Sequence, residues 1–171
     1  MRKTIKIHIA LMLFALILLQ QSCGYKLSGA SIPLEMKTLS VQFFENNASL
    51  VVPYLSQQFT EELKNRIRSQ SRLSIVRADG DANFEGRISD YSISPVAIQG
   101  NERAGLNRMT ITVNVKYTNA LKPEQGFEQS FSRFKDFSVQ TRTLQSQEGS
   151  LISEINSQLT EDIFNRAFAN W

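Results

Sequence analysis

Arg108-Met109-Thr110-Ile111-Thr112-Val113-Asn114-Val115-Lys116-Tyr117-Thr118 alternates without a break. In an extended chain Met109, Ile111, Val113, Val115 and Tyr117 fall on one side, and Thr110, Thr112, Asn114, Lys116 and Thr118 on the other. A strand with one apolar and one polar face belongs to a sheet buried on one side only. The apolar side must then be covered by something amphipathic.

Two covers lie outward from this strand. Upstream, Val52, Leu55, Phe59, Leu63 and Ile67 recur at three- and four-residue spacing, the stripe of an amphipathic helix. Glu45-Asn46-Asn47-Ala48-Ser49 reads as a turn before it, with Asn47 or Ser49 as N-cap and Pro53 near its start. Downstream, Ser146 to Phe168 carries a second stripe of Ile152, Ile155, Leu159, Ile163 and Phe164. The adjacent carboxylates Glu161 and Asp162 point apart on a helix, which suits a solvated face and not an acid/base pair.

The other strands are shorter or less regular. Thr38 to Phe44 alternates, with Leu39, Val41 and Phe43 inward, and Arg72 to Arg77 is brief. Asp79-Gly80-Asp81 is a turn, and two aspartates are too few oxygen ligands for a calcium loop. Asn83 to Ile98 changes parity between Ile88 and Tyr91, which calls for a bulge at Ser89-Asp90, and Pro95 ends the strand. Lys122-Pro123-Glu124-Gln125-Gly126 is a turn, and Phe127 to Val139 has the mixed parity of a bulged or edge strand. Its interleaved Phe131, Arg133, Phe134, Lys135 and Phe137 resemble an RNA-binding sheet, but a half-buried edge strand explains them more simply.

The expected fold is α+β: a two-layer sandwich with two amphipathic helices on one face of a mixed, mainly antiparallel sheet of four to five strands. A right-handed crossover makes the first two strands parallel neighbours, and the rest an antiparallel meander.

The N-terminus is a separate matter. Arg2, Lys3 and Lys6 precede an apolar run from Ile7 to Leu19, and the only cysteine, Cys23, follows it. The run is short of the roughly 20 residues that span a bilayer. A basic start, a short apolar segment and a small residue, Ser22, before the cysteine describe a lipoprotein signal, 1–22, cleaved before a lipid-modified Cys23. Acylation needs the thiolate, which serine cannot supply. The lipobox is irregular, with Gln20 where leucine is usual and Leu19 one place further back. Residues 23–37, with Gly24, Gly29 and Pro33, read as a tether, and 38–171 as a single domain.

Processing changes the chemistry available. The +3 formal charge resides in Arg2, Lys3 and Lys6, so residues 23–171 are neutral overall and offer no electrostatic case for nucleic acid. The single histidine, His8, leaves with the signal, and Cys23 is consumed by lipid. Ser-His-Asp and Cys-His catalysis, zinc sites built on His or Cys, and internal disulfides are thereby excluded; no cofactor or metal is expected.

Cys23-Gly24-Tyr25-Lys26-Leu27-Ser28-Gly29 resembles the mature start of the LptE-like lipopolysaccharide-assembly lipoproteins. Asp162-Ile163-Phe164-Asn165-Arg166-Ala167-Phe168-Ala169-Asn170-Trp171 resembles the ending of their Bacteroidetes-type branch. The resemblance implies two helices on a mixed sheet and a non-enzymatic subunit at the periplasmic side of the outer membrane. It also implies two partners: the LptD-type β-barrel, which the subunit plugs and helps assemble, and lipopolysaccharide. Of the family's functional residues only Cys23 carries over. A generic periplasmic lipid-binding or envelope-complex lipoprotein is the alternative, and an enzyme using carboxylates alone is a poorer one.

One further expectation joins topology to charge. If the Arg72 strand rises and the Asn83 strand descends, Arg66, Arg68, Arg72, Arg103, Arg108 and Arg142 collect at one end. Arginine grips phosphate with a planar fork, so this end is the candidate for lipopolysaccharide phosphates or anionic barrel loops.

Overall fold

The protein is described by a computed structural model covering residues 32–96, 106–140 and 142–169. The chain runs β1 (Thr38–Val41), β2 (Glu45–Asn46), α1 (Leu55–Gln70), β3 (Ser74–Val76), β4 (Ala82–Pro95) and β5 (Leu106–Asn119). A 3-10 turn at Pro123–Gln125, β6 (Phe127–Ser138) and α2 (Leu144–Phe168) complete it. The strands form one sheet in the order β3-β1-β4-β5-β6, with β2 pairing β4 beyond the end of β1. This is the expected α+β sandwich, and the two-residue β2 brings the sheet to six strands.

The core lies between helices and sheet. Met109, Ile111, Val113, Val115 and Tyr117 of β5 are all buried, as are Leu55, Phe59, Leu63 and Ile67 of α1 and Ile152, Ile155, Leu159, Ile163 and Phe164 of α2. Burying one such side chain fully is worth about 1.5–3 kcal/mol, which is why the stripes govern the packing. On β4 the register slips between Ile88 and Asp90, the expected bulge, and Ile88 and Tyr91 both stay in the core. Phe84, Tyr117 and Phe168 close one end of the core, their ring centroids 4.8 to 6.1 Å apart.

The helices are parallel to one another. Tyr54, which caps α1, bonds Glu148 in the first turns of α2, and Arg66 near the end of α1 bonds Thr160 near the end of α2. Pairs in matching order along both helices require a common direction. Phe44, Thr60 and Ser56 link the layers: the Phe44 amide donates to the Thr60 hydroxyl, which donates to the Ser56 carbonyl.

Three sequence expectations need correction. First, β4 does not descend beside β3. Both run parallel to β1, which lies between them. β3 ends with Val76 opposite Ser40, and β4 begins with Ala82 opposite Leu39. The link must therefore step back by one register position and cross one strand, a sideways distance of about 10 Å that the intervening residues can cover. It lies against the β1 backbone: a Cβ on Gly80 would sit 2.7 Å from the Ser40 nitrogen. Asp79 supplies a left-handed turn at φ 54°. Asp81 then anchors the crossing, its carboxylate accepting from the Lys37 and Thr38 amides and the Thr38 hydroxyl. Those bonds hold the Asp81 carboxyl below its ordinary value.

Second, Phe44 and not Phe43 enters the core. The chain leaves β1 after Val41, and the Phe44 amide turns to Thr60 on α1, so the alternation restarts. Phe44 meets Phe59 edge-on at 5.1 Å and fills the space over Gly86, while Phe43 is 59% exposed. Third, neither Asn47 nor Ser49 caps α1. The helix begins at Leu55, after Pro53, with Tyr54 as a cap that makes no side-chain bond. Asn46 instead closes a turn by accepting from the Ala48 amide. The second helix begins slightly before Ser146, with Thr143 as its cap accepting from the Ser146 amide. The packed chain also starts upstream of Thr38, since Met36 is fully buried.

Candidate functional site

The parallel course of β4 divides the arginines expected to gather. β1, β3 and β4 share a direction, α1 returns against them, and β5 returns to the start of β4. Arg66, Arg68 and Arg72 therefore lie toward the end where β1 begins, whereas Arg108 and Arg142 lie at the opposite end, beside the start of β5 and the finish of β6. Arg103 is outside the described residues. The five described arginines do not share one end of the domain.

Most of these guanidiniums are also engaged. Arg66 is a strut between the helices, its Nε donating to Thr160 Oγ1 at 2.9 Å and one Nη to the Ser157 carbonyl at 2.9 Å and hydroxyl at 3.1 Å. Arg108 forms a two-point bridge with Asp136 at 2.7 and 2.9 Å and lies over the Phe134 ring. The bond from Arg108 holds the Asp136 carboxyl below its ordinary value. Arg72 donates to the carbonyls of Ile32 and Pro33 at 3.0 and 2.8 Å, and Arg68 donates to Asn65. Arg142 is exposed, and its carbonyl accepts from Gln147.

Tyr54, Tyr91 and Glu148, none of them a candidate site residue from the sequence, form a polar cluster that joins three elements. Glu148 accepts from Tyr91 at 2.7 Å and from Tyr54 at 3.1 Å, joining β4, the start of α1 and the first turns of α2. Burial, followed by the bond to Glu148, pushes the Tyr91 phenol well above its ordinary value; the Tyr54 phenol is raised by burial and by the Glu148 charge. No local spacing links positions this far apart in the chain, so no sequence signal points to them. The geometry ties three elements of secondary structure together.

The surface carries shallow grooves. One of about 420 Å³ on the polar sheet face is lined by Phe43, Glu45, Glu85, Arg87, Lys116 and Glu128. Glu85 there is bound to Lys116 at 2.6 Å. Phe43, Leu50, Val51 and Tyr54, all between β1 and α1, are exposed apolar residues, as are Leu34 and Leu121 at the end where β1 begins. Among the described residues no cluster of His, Cys, Asp and Glu could hold a metal ion, and no helix is long and apolar enough to cross a membrane.

Residues 36–167, from the buried Met36 to the last turn of α2, match the family model described as LptE, lipopolysaccharide-assembly. The chain belongs to the LptE family. No curated protein matches it in sequence. Among solved structures, the LptE-family chain resembles the rare lipoprotein B of Shewanella oneidensis, with 16% identity and a TM-score of 0.51 over 75% of this chain and 92% of that one. A hypothetical protein from Chlamydia trachomatis superposes with a TM-score of 0.53 at 8% identity, covering 79% and 99% of the two chains. A protein from Xanthomonas campestris gives 0.52 at 10% identity, covering 80% and 87%. At these identities the likenesses establish a shared fold.

Proposed function

We propose that this LptE-family chain is the lipoprotein subunit of a lipopolysaccharide translocon in the outer membrane. In this reading it is cleaved before Cys23 and acylated there. It sits in the lumen of an LptD-type barrel, helps that barrel assemble, and binds lipopolysaccharide during delivery to the outer leaflet. The role is architectural and non-enzymatic. The observation that carries the reading is the family match across 36–167, which takes in every strand and nearly all of α2. The basic, apolar, Ser22-Cys23 sequence at the N-terminus supports it.

The test is affinity purification of the tagged full chain from solubilised outer membrane, paired with depletion of the protein in cells. A large β-barrel should co-purify, and depletion should lower both assembled barrel and surface lipopolysaccharide. A chain that purifies alone, with both quantities unchanged on depletion, would overturn the proposal.

A further inference from the structure

We infer that an extended segment of the barrel partner, lying outside its membrane-spanning strands, docks on the apolar surface before α1 and adds a short strand to the open edge of β4 at Ile93. The inference rests on the seat in a barrel lumen proposed above and adds the surface that is gripped and what grips it. It begins with the edge. β2 pairs with β4 only at Arg87 and Ile88, and the Asn47 amide donates to the Ile88 carbonyl. Beyond that point β4 runs on to Pro95, and among the described residues β5 is its one neighbouring strand. The Val96 amide donates to Leu106. Backbone direction alternates along a strand, so the amides of Ser94, Ser92 and Asp90 also face β5, and the amide and carbonyl of Ile93 face away. Pro95 shares that outward side, where its missing N–H breaks no ladder bond. Tyr91, Ile93 and Pro95 turn no charge toward the helices, so this edge lacks one common guard against an added strand.

An apolar surface adjoins the edge. The chain arches from Asn47, bonded to Ile88, to Tyr54, which shares Glu148 with Tyr91. The arch therefore stands beside this half of β4. On it Leu50 is 56% exposed and Val51 66%. Val51, Val52 and Pro53 also wall a groove of about 350 Å³ with Phe43 and Glu45. Glu45, Asp90 and Glu148 border this surface, and none of them is in an ion pair among the described residues. The matching occupant has apolar side chains, a basic residue among them, and free main-chain groups.

The strands of a closed barrel have no main-chain groups to spare, and their lumen-facing side chains are polar. The wall itself thus matches neither Ile93 nor the groove, whereas a loop or terminal segment of the same partner can supply both. The tether of this chain is too short. Arg72 holds Ile32 beside the start of β1, and Ile93 lies eleven positions along β4 from Ala82, which stands opposite Leu39. That is about 35 Å, against a reach of at most about 30 Å for the nine positions from Cys23 to Ile32.

The test uses the tagged, full-length acylated chain in cells. The photocrosslinker p-benzoylphenylalanine replaces Val51 in one variant, Pro95 in a second and, at the far end of the domain, Leu121 in a third. Cells are irradiated, the complex is purified, and links are mapped by mass spectrometry. Positions 51 and 95 are expected to link to one stretch of the barrel partner outside its membrane-spanning strands, and 121 to other sites. Ile93→Pro removes the outward amide without touching the β5 ladder and should lower the yield at 51 about tenfold. Leu50→Lys with Val51→Lys, both at exposed sites, should lower the yield at 95 as much. Urea midpoints near wild type confirm the folds, and the lysine pair decides if Ile93→Pro fails to fold. Links from 51 and 95 only to spanning strands, to residues 97–105 of this chain or to a second copy would overturn the inference while leaving the barrel seat intact. So would a co-purified barrel with no link at either position, or unchanged yields in the folded variants. A purified complex without a barrel would overturn the seat and the inference together.

Discussion

β5 and β6 are neighbours in one sheet, yet their helix-facing sides are built differently. On β5 that side is Met109, Ile111, Val113, Val115 and Tyr117, all buried. On β6 it runs Phe127, Gln129, Phe131, Arg133, Lys135 and Phe137. Ile111 pairs directly with Arg133, and Met109 with Lys135. The difference follows from position. β5 has a strand on each side and the helix layer above it. β6 is the edge, where long side chains can pass the rim of the core to α2. Arg133 there makes a two-point bridge to Asp162 at 2.5 and 2.7 Å, and Lys135 bonds Glu154. Inward-pointing charge also discourages another chain from adding to an exposed edge. The opposite edge, β3, is protected differently, by being only 3 residues long.

The sharpest way to break this contrast is to move a charge one strand inward. Ile111→Lys would place an ammonium beside Arg133 in a site with no exposure. An unpaired buried charge is among the most damaging changes, and the expected loss is about 4 kcal/mol or more, read as a failure to fold or a large drop in the urea midpoint. A near-native midpoint would show that β5 is not sealed as described.

Alkaline titration probes the same sealed side with a smaller effect. Burial pushes the Tyr117 phenol up to about 12. A phenol raised in the folded state contributes stability fully below its unfolded value near 10, and that contribution is lost as pH rises from about 10 to about 12. The loss should be on the order of 2 kcal/mol, and Tyr117→Phe should remove it. Tyr91 is also raised and will leave a remainder of the same sign. Equal alkaline sensitivity in wild type and Tyr117→Phe, measured by denaturant unfolding, would contradict the assignment.

On β6 the effects shrink. A double-mutant cycle of Arg133→Ala and Asp162→Ala should give a coupling of about 0.5–1 kcal/mol, because the pair is partly exposed and screened. Coupling that persists unchanged in high salt would argue against a solvent-screened bridge. Smallest in net stability is the double substitution Arg133→Val with Lys135→Val: the two partly exposed bridges are lost, but the higher strand propensity of valine offsets them, leaving a net change in unfolding free energy under about 0.5 kcal/mol. Its signature lies elsewhere: an apolar edge should associate with itself, visible as dimers or larger species in sedimentation. A strictly unchanged sedimentation profile would show that the charges do not guard this edge.

The two strands also differ in how far their sequences could be read. β5 was legible because burial on one face and water on the other impose period two on every residue. The stripes of α1 and α2 and the bulge after Ile88 were legible for the same local reason. β6 was legible as an edge, but nothing near Arg133 and Lys135 in the chain points to their partners, which come from a later helix. Phe43 and Phe44 show the limit within a single strand. A run of two phenylalanines satisfies either parity, and the Thr60 hydroxyl of α1 decides which one turns inward.

The amino-acid sequence by itself determined most of the elements and the faces they bury, because these depend on spacing along the chain, and the motifs at its two ends carried the resemblance to the family. Tertiary structure alone decided the direction of β4. The short link from β3 reads locally as a hairpin turn, and the step across β1 was decided by contacts with residues far from it in the chain. Those contacts are Gly80 against the Ser40 backbone and the Asp81 carboxylate on the amides of Lys37 and Thr38. That one direction placed Arg108 and Arg142 away from Arg66, Arg68 and Arg72. It also brought Leu121 to the end where the chain enters, because strand polarity fixes which loops share an end.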